Sequence, residues 1–434
     1  MPKARFAHLA DVHLGGWRDE KLKELGMQSF SKAVDIMIQA NIDFAIIAGD
    51  FFNTALPSLD AVKLATKELA RLKKAGIPVY IISGSHDYSP SGKTMLDVLE
   101  NAMLVKNVQK ARYGEDGKII LEFTIDDKTG IKLAGLPGKK GALEVQYYEN
   151  LDYDAAEKEP GRKIFLFHML LTEFKRTRDE RIETLSSSAL PKGFMYYAGG
   201  HPHLVDSNNY SSGIIAYPGP IFPNNYEELE ELKKGGFYIV EEEDGKINNV
   251  EWESLAIKNV KILDINCNNI SAEQLNDLML DKIRELQLLD TILLLRVKGK
   301  LSSKATEIDW VQIYKTAQSR GCYSIARNIS KMSAEGREEI ELDYSSRENL
   351  ESEMISEFES KTQIPKVLGH NAIRKLLLAF SEEKKEGETN ADFQSRLKES
   401  FDRQFNINNS NDADTETSSN NEDNKNINTL ESTN

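Results

Sequence analysis

Hydrophobic residues in the first 256 positions follow two alternating patterns. Four short, almost continuous apolar runs predict β-strands that are covered on both faces, at residues 4–10, 42–48, 77–83 and 163–167. Between these runs, apolar residues recur at helical spacing and predict amphipathic helices at 21–39 and 59–75. Strands that alternate with helices predict an α/β fold, which is either a sandwich or a doubly wound sheet.

The pattern changes after residue 256. Residues 257–335 follow the order strand, helix, strand, helix, strand, which predicts a second, small α/β domain. Between 345 and 405 the apolar residues form helical stripes, which predict a C-terminal helical arm. Residues 406–434 consist mainly of Asn, Asp, Ser and Thr. They cannot bury enough apolar surface to offset the entropy of ordering, so we expect a disordered tail.

Length and composition narrow the class of protein. A chain of 434 residues exceeds one ordinary core and predicts two or three domains. The two cysteines, Cys267 and Cys322, disfavour a disulfide framework and indicate a reducing compartment. No signal-peptide segment and no run of about 18 apolar residues occurs, so we expect a cytoplasmic protein without a membrane partner. The net charge of −14 disfavours nucleic acid as a partner unless local basic patches and metal ions bind the phosphates.

Five of the seven histidines lie in short signatures with aspartates, each at the end of an apolar run. These signatures are Asp11-Val12-His13, Gly49-Asp50, Gly84-Ser85-His86-Asp87, His168, and Gly200-His201-Pro202-His203. Residues two apart on an extended segment point the same way, so Asp11 with His13, and His201 with His203, are expected to form ligand pairs. Carboxylates and imidazoles without a thiolate suit Mn, Fe or Zn, and these ligands suffice for two ions that share a carboxylate.

The order of these signatures resembles that of the calcineurin-like metallophosphoesterases. Within that superfamily, the chain is similar to the double-strand-break repair nucleases of the SbcD type, called meiotic-recombination-eleven nucleases in archaea and eukaryotes. The similar segments are His-Leu-Ala-Asp-Val-His-Leu-Gly at 8–15, Gly-Asp-Phe-Phe at 49–52 and Tyr-Pro-Gly-Pro at 217–220. The resemblance is close in the catalytic region, looser in the second domain and only architectural after residue 348.

This resemblance implies a calcineurin-like α/β sandwich with a small capping domain and a helical arm. A nuclease domain would occupy residues 1–256 and a DNA-contacting capping domain residues 257–335. A helical partner-binding segment would occupy residues 345–405, of which 345–385 would dock on an SMC-like ABC ATPase. The family also implies a homodimer that acts on DNA ends as an exonuclease and endonuclease, associated with the nucleoid.

The resemblance also implies a role for each signature. It implies a dinuclear site with two Mn ions, in preference to Fe, Zn or Mg. One ion would be held by Asp11, His13 and His203, and the other by His168 and His201. Asp50 would bridge the two ions. His86 would protonate the departing ribose oxygen or stabilise the phosphorane, and Asp87 would orient the His86 imidazole. His8 lies an odd number of residues from Asp11, so we expect a core residue rather than a ligand.

Two positions depart from the family pattern. Ser85 stands where the family usually has an asparagine ligand of the second ion, and a serine hydroxyl is a shorter, weaker ligand. Asn53 stands where many members have His or Asp near the DNA. The default interpretation of a basic run after His168 is a solvated charged surface, and its proximity to a candidate metal ligand makes contact with DNA phosphates the alternative; its residues are Lys175, Arg176, Arg178 and Arg181.

Three functions therefore stay open at the level of sequence. The first is an Mn-dependent DNA nuclease of a repair complex. The second is another dinuclear metallophosphoesterase, such as a phosphatase or a cyclic-nucleotide diesterase. The third is a catalytically weakened scaffold subunit, for which Ser85 is the sequence argument.

Overall fold

Strands supply most of the regular structure in the first part of the chain. The computed structural model describes residues 3–89, 93–139, 145–175, 184–211, 213–334 and 393–399. In chain order the strands are β1 (Lys3–Leu9), β2 (Phe44–Ala48), β3 (Val79–Ile82), β4 (Lys106–Asn107), β5 (Ala111–Tyr113), β6 (Ile119–Leu121), β7 (Thr124–Ile125), β8 (Lys132–Gly135), β9 (Lys163–His168), β10 (Tyr196–Gly200), β11 (Val205–Tyr210), β12 (Gly213–Pro218), β13 (Gly235–Glu243), β14 (Lys246–Leu255), β15 (Asn259–Asn266), β16 (Thr291–Leu301), β17 (Cys322–Asn328) and β18 (Met332–Ala334).

The helices lie between these strands. They are α1 (Glu20–Gln39), α2 (Leu59–Lys74), α3 (Met95–Asn101), α4 (Val145–Glu149), α5 (Tyr153–Lys158), α6 (Tyr226–Leu232), α7 (Ala272–Glu285) and α8 (Trp310–Ser319). Side-chain caps fix where the predicted helices begin: Asp19 accepts from the Leu22 N–H at the start of α1, and Ser58 accepts from the Ala61 N–H at the start of α2.

Two mixed six-stranded sheets organise residues 3–255. The first has the order β14-β13-β1-β2-β3-β4 and the second the order β11-β12-β10-β9-β8-β7. Strands β1 to β4 run parallel, and so do β8, β9, β10 and β12. Parallel neighbours end at the same edge of a sheet, so the carboxyl ends of β1, β2 and β3 share one edge, and those of β9 and β10 share another.

A core of apolar side chains lies between the two sheets. Phe6 and Phe44 of the first sheet stack with ring centroids 5.0 Å apart, and Phe6 meets the edge of Tyr196 from the second sheet at 5.3 Å. Helices α1, α2 and α3 cover the outer face of the first sheet, and α4 and α5 cover that of the second. The predicted sandwich is confirmed. The doubly wound alternative is wrong, because a second sheet, rather than helices, covers the inner face of the first.

Residues 259–334 build a separate core. Strands β15, β16 and β17 are parallel, β18 pairs with the end of β16, and α7 and α8 pack on one face. The predicted order of elements is found, and β18 is an additional strand that was not predicted. We call residues 259–334 the cap module. Its boundary as a domain stays a prediction.

The other face of the cap module contacts the sandwich. Ile292 and Leu294 of β16 are fully buried against Leu22 and Leu25 of α1 and Leu229 of α6. Contacts between α-carbons divide the chain into two compact units, Met1–Arg337 and Glu338–Asn434, so the sandwich and the cap module belong to one unit.

In the second unit, the described residues 393–399 are helical, in agreement with the predicted helical arm. The predicted partner-binding segment at 345–385 and the tail at 406–434 lie outside the described residues. Cys267 and Cys322 are buried free thiols. Among the described helices, none has the length and apolar character needed to cross a membrane.

Phe6→Ala should destabilise the sandwich by roughly 3–5 kcal/mol, because the ring is fully buried between the sheets and its removal leaves a cavity. The matched control is Tyr113→Ala, whose ring is 75% exposed and whose loss should change stability by only about 0.5 kcal/mol. Urea unfolding of the full-length chain measures both variants. Equal midpoints for the two would contradict the assignment of the inter-sheet core.

Candidate metal centre

Polar residues gather where five strand ends meet. They are Asp11 and His13 after β1, Asp50 after β2, Ser85 and His86 after β3, His168 at the end of β9, and His201 and His203 after β10. The His13 N–H donates to the Asp50 carbonyl oxygen at 3.0 Å, which ties the first two loops together. The His201 N–H donates to both carboxylate oxygens of Asp11, at 3.0 and 3.1 Å, and so joins the two sheets at this edge.

The backbone at these residues turns sharply. The angle φ is +50° at Asp11, +45° at His13, +50° at Asp50, +99° at His201 and +48° at His203. The expectation that each pair lies on an extended segment is therefore wrong. A left-handed turn after each strand, rather than the two-residue period of a strand, aims these side chains. Such conformations cost on the order of 1–3 kcal/mol each and concentrate at functional sites.

One group of possible ligands consists of Asp11, His13 and His203, whose ligand atoms all lie within 4.8 Å of one another. Nε2 of His13 is 3.0 Å from Nε2 of His203, and Nε2 of His203 is 3.7 Å from Oδ1 of Asp11. Both sheets contribute to this group, so it exists only in the folded sandwich.

A second group consists of Asp50, His168 and His201, again with ligand atoms within 4.8 Å. Nε2 of His168 lies 3.2 Å from Oδ2 of Asp50. The same Asp50 oxygen is 3.7 Å from Nε2 of His13 in the first group. Asp50 therefore lies between the two groups, where a carboxylate shared by two cations is needed.

The hydrogen bonds of His168 suit a metal ligand. Its Nδ1 donates to the carbonyl oxygen of Ala48 at 2.8 Å, so when the ring is neutral, as a ligand must be, the lone pair is on Nε2. Within the described part of the chain, this buried Nε2 forms no well-aligned hydrogen bond, and the oxygen it faces is Oδ2 of Asp50 at 3.2 Å. A buried imidazole nitrogen that faces a carboxylate oxygen without a well-aligned hydrogen bond fits a divalent cation between the two.

The charges of the site lead to the same conclusion. Burial raises the pKa of Asp11, whereas the attraction of His168 outweighs burial at Asp50 and holds that pKa well below its usual range. Burial alone would lower the pKa of both His168 and His203. The attraction of Asp50 nevertheless raises that of His168 to about 10, and the attraction of Asp11 raises that of His203 to about 9. Protons thus balance the buried carboxylates, and bound cations would displace them.

His86 lies beside the ligand groups but has a different partner from the one expected. Its Nδ1 donates to the carbonyl oxygen of Asn53 at 2.8 Å, and its ring meets that of His13 edge-on with centroids 4.8 Å apart. The expectation that Asp87 orients this imidazole is wrong, because the Asp87 carboxylate accepts the backbone N–H groups of Phe51, Phe52 and Gly84, at 3.1, 2.9 and 3.1 Å. Asp87 therefore holds the β2 and β3 loops together.

The pKa of Asp87 is raised to about 6, first by burial and then by repulsion from Asp50. His86 also forms a group with His13 and Asp50 whose ligand atoms lie within 4.8 Å. The position of the His86 imidazole is thus compatible with two roles, a proton donor or a metal ligand.

Ser85 is buried in the loop that wraps around Asp50. The next residue, His86, donates its backbone N–H to Oδ1 of Asp50 at 2.7 Å. The preceding residue must be glycine, because a Cβ on Gly84 would lie 2.2 Å from the same Asp50 oxygen. Ser85 is therefore next to the shared carboxylate, the side on which the family's asparagine ligand is expected.

The predicted DNA contacts have different outcomes. Asn53 is half-buried beside His86, as the 2.8 Å hydrogen bond above shows. Lys175 follows a short 3-10 turn at Thr172–Phe174, and Arg176, Arg178 and Arg181 lie outside the described residues. His8 is fully buried between the sheets, with Nδ1 2.9 Å from the Tyr196 hydroxyl, as expected of a core histidine.

Sequence reasoning missed Glu228, whose Oε1 lies 2.9 Å from Nδ1 of His203. Asn225 and Glu228 have the spacing of a helix N-cap and its third residue, and Asn225 does cap α6. That pattern alone predicts a helix start and gives no sign of a histidine 25 residues earlier. The roles of the Ala48 and Asn53 carbonyl oxygens, which accept hydrogen bonds from His168 and His86, were missed as well. Every residue has a backbone carbonyl, so the sequence does not mark these two.

Comparisons with known proteins agree with this geometry. Residues 4–209 match the family of calcineurin-like phosphoesterases. A protein of Methanococcus maripaludis, named DNA double-strand break repair protein Mre11, is 27% identical over 309 residues, which cover 66% of this chain and 78% of that protein. Proteins of the same name from Methanopyrus kandleri and Aeropyrum pernix are 28% and 30% identical, over 58% and 53% of this chain and 57% and 56% of their own lengths.

A solved dimetal phosphatase from Danio rerio is 11% identical and aligns with a TM-score of 0.38 over 59% of this chain and 99% of its own. The matched residues 4–209 include the strands and loops that carry the ligand groups. Residues 4–209 thus form a calcineurin-like metallophosphoesterase domain, as the ordered aspartate and histidine signatures predicted, and the chain is similar to the Mre11 repair proteins of archaea.

Proposed function

We propose that this protein is an Mn-dependent DNA exonuclease and endonuclease that hydrolyses phosphodiester bonds at DNA ends in double-strand-break repair. The observation that carries the proposal is the position of Asp50 between two imidazole-carboxylate groups. The similarity to repair proteins favours DNA as the substrate over other phosphate esters.

Two cations would be held by Asp11, His13 and His203 on one side, by His168 and His201 on the other, and by Asp50 between them, with Ser85 as a weaker ligand. When bound, divalent cations supply a water nucleophile at neutral pH and neutralise charge on the phosphate. The chain's own contribution is to fix these ligands with backbone hydrogen bonds, such as that from His168 to Ala48. Ligands fixed in this way would keep two bound cations close enough to act on one phosphodiester.

His86 is the proposed proton donor to the departing ribose oxygen. The hydrogen bond from its Nδ1 to the Asn53 carbonyl fixes the ring, which leaves Nε2 to carry the proton. Asp87 acts as a positioning residue through the β2 and β3 loops rather than through the imidazole.

Partners belong to the proposal as well. The SMC-like ABC ATPase would bind the helical segment at 345–385. Four of the nine exposed large apolar side chains among the described residues lie at the start of α2 and in or just after α3: Leu56, Leu59, Val98 and Met103. They support a homodimer contact at these helices. The proposed DNA contact of the cap module is weakened by ion pairs. Arg296 and Lys298 of β16 both pair with Asp264, and this carboxylate reduces the positive charge that the two side chains offer to DNA.

The proposal is tested with the full-length chain, Mn²⁺, and double-stranded, single-stranded and hairpin DNA, beside p-nitrophenyl phosphate as a generic phosphatase substrate. We expect Mn-dependent cleavage of DNA that a chelator abolishes, and slow hydrolysis of the generic substrate. Hydrolysis of the generic substrate without DNA cleavage would indicate another phosphoesterase. No hydrolysis of any substrate, with or without the ATPase partner, would leave a scaffold.

His86→Gln should lower the rate of DNA cleavage by about 10²- to 10⁴-fold, because the proton donor is lost while the ligand groups around Asp50 remain. Calorimetry with Mn²⁺ should still detect two sites. The contrasting variant is Asp50→Ala, which should lose binding of at least one ion because the shared carboxylate is gone. Loss of an ion in His86→Gln would instead make His86 a metal ligand.

Ser85→Asn tests whether the serine weakens the second ion. An amide oxygen next to Asp50 should lower the Mn²⁺ concentration needed for half-maximal cleavage, while the thermal midpoint of unfolding stays unchanged. The measurement is a Mn²⁺ titration of cleavage rate in both proteins. An unchanged half-saturating concentration would mean that the serine position does not limit metal binding.

A further inference from the structure

Helix α6 and the loop before it lie between the candidate metal centre and the cap module. Residues 224–230, which we call the bridging segment, contact both. Within this segment the side chains of Glu228, Leu229 and Glu230 follow one another directly in sequence and make contacts with different parts of the molecule.

Glu228 contacts the metal centre. Its Oε1 lies 2.9 Å from Nδ1 of His203, which is the donor in this pair if the ring is to keep its Nε2 lone pair for the ligand group. The carboxylate is itself fixed, because Oε2 accepts the Asn224 backbone N–H at 2.8 Å and Oε1 accepts from the side chain of Asn225. The Glu228 side chain is only 19% exposed, and that of His203 18%.

The same segment also supports the proposed proton donor. Nδ2 of Asn224 donates to Oδ1 of Asn53 at 3.3 Å, and the carbonyl oxygen of Asn53 accepts from His86. Residues on one short stretch of chain thus support an imidazole in the first ligand group and the imidazole beside it.

The other side of the segment is attached to the cap module. Leu229 is fully buried with Ile292 and Leu294 of β16. Oε1 of Glu230 accepts from Nη1 of Arg296 at 2.5 Å, and these two side chains are 22% and 31% exposed. Because α6 has only seven residues, a displacement at Leu229 and Glu230 displaces Glu228 as well.

We infer that Glu228 is a positioning residue for His203, and that the cap module stabilises the metal centre by holding α6 through Leu229 and Glu230. This inference rests on the proposed function only in taking His203 as a metal ligand. A carboxylate that accepts the second ring N–H of a ligating histidine raises the basicity of the ligand and fixes its direction, and its loss typically lowers metal affinity by roughly 10- to 100-fold.

The direct test is calorimetry of the full-length chain with Mn²⁺ alone. Glu228→Ala should weaken one Mn²⁺ site by about 10- to 100-fold, and Glu228→Gln should recover part of that affinity because its amide oxygen still accepts the Nδ1 proton. Glu227→Ala is the matched control, since Glu227 is an exposed glutamate of the same helix, and it should bind as wild type. Unchanged affinity in Glu228→Ala, or equal losses in Ala and Gln variants, would overturn the positioning role.

The cap contact is tested by a double-mutant cycle. Glu230→Ala should weaken the same Mn²⁺ site by roughly twofold to tenfold, and this effect should vanish when Glu228 is already alanine, because Glu230 acts through Glu228. The exposed Glu231 provides the control substitution to alanine. An equal effect of Glu230→Ala in both backgrounds, or none in either, would overturn the coupling.

These measurements are independent of DNA cleavage. A wild-type protein that binds Mn²⁺ but cleaves no DNA would end the nuclease proposal and leave the role of Glu228 to be decided by the titrations. A nuclease whose Mn²⁺ affinity is indifferent to Glu228 would retain the proposed function and lose this inference.

Discussion

The structure depends on the burial of two carboxylates at the edge where its two sheets meet. Asp11 and Asp50 are 1% and 2% exposed, and their negative charges need positive partners in a medium of low dielectric constant. His168 and His203, whose pKa values are raised by these carboxylates, supply that positive charge as imidazolium groups, and divalent cations would replace their protons. The requirement for positive charge therefore accounts for the position of these two imidazoles beside the carboxylates and for the fit of metal ions.

The sandwich makes this arrangement possible. Aromatic packing between the sheets, such as Phe6 against Phe44 and Tyr196, holds the carboxyl ends of β1 and β2 against those of β9 and β10. The loops that follow these strands are tied together by hydrogen bonds from His201 to Asp11 and from Phe51 and Phe52 to Asp87. These contacts maintain the left-handed backbone at five site residues, which would otherwise relax.

The cap module packs against the helix that supports the metal centre. Its sheet buries apolar residues on both faces, against α7 and α8 on one side and against α1 and α6 on the other. The second of these faces lies against the helix that carries Glu228. Packing in the cap module and the direction of a ligand imidazole are thus physically connected through one short helix, as expected when the residues around a ligand fix its geometry.

The sequence by itself determined the buried strands, the amphipathic helices and the residues of the candidate ligand groups, because short apolar runs and ordered Asp and His signatures are local patterns. It left open the choice between a sandwich and a doubly wound sheet, since both bury a parallel strand on two faces. The backbone at Asp11 and His13, the true partners of His86 and Asp87, and the role of Glu228 were decided only by the tertiary structure. Each of these depends on contacts between residues distant in sequence, such as Glu228 with His203. Contacts of this kind leave no periodic pattern in the amino-acid sequence.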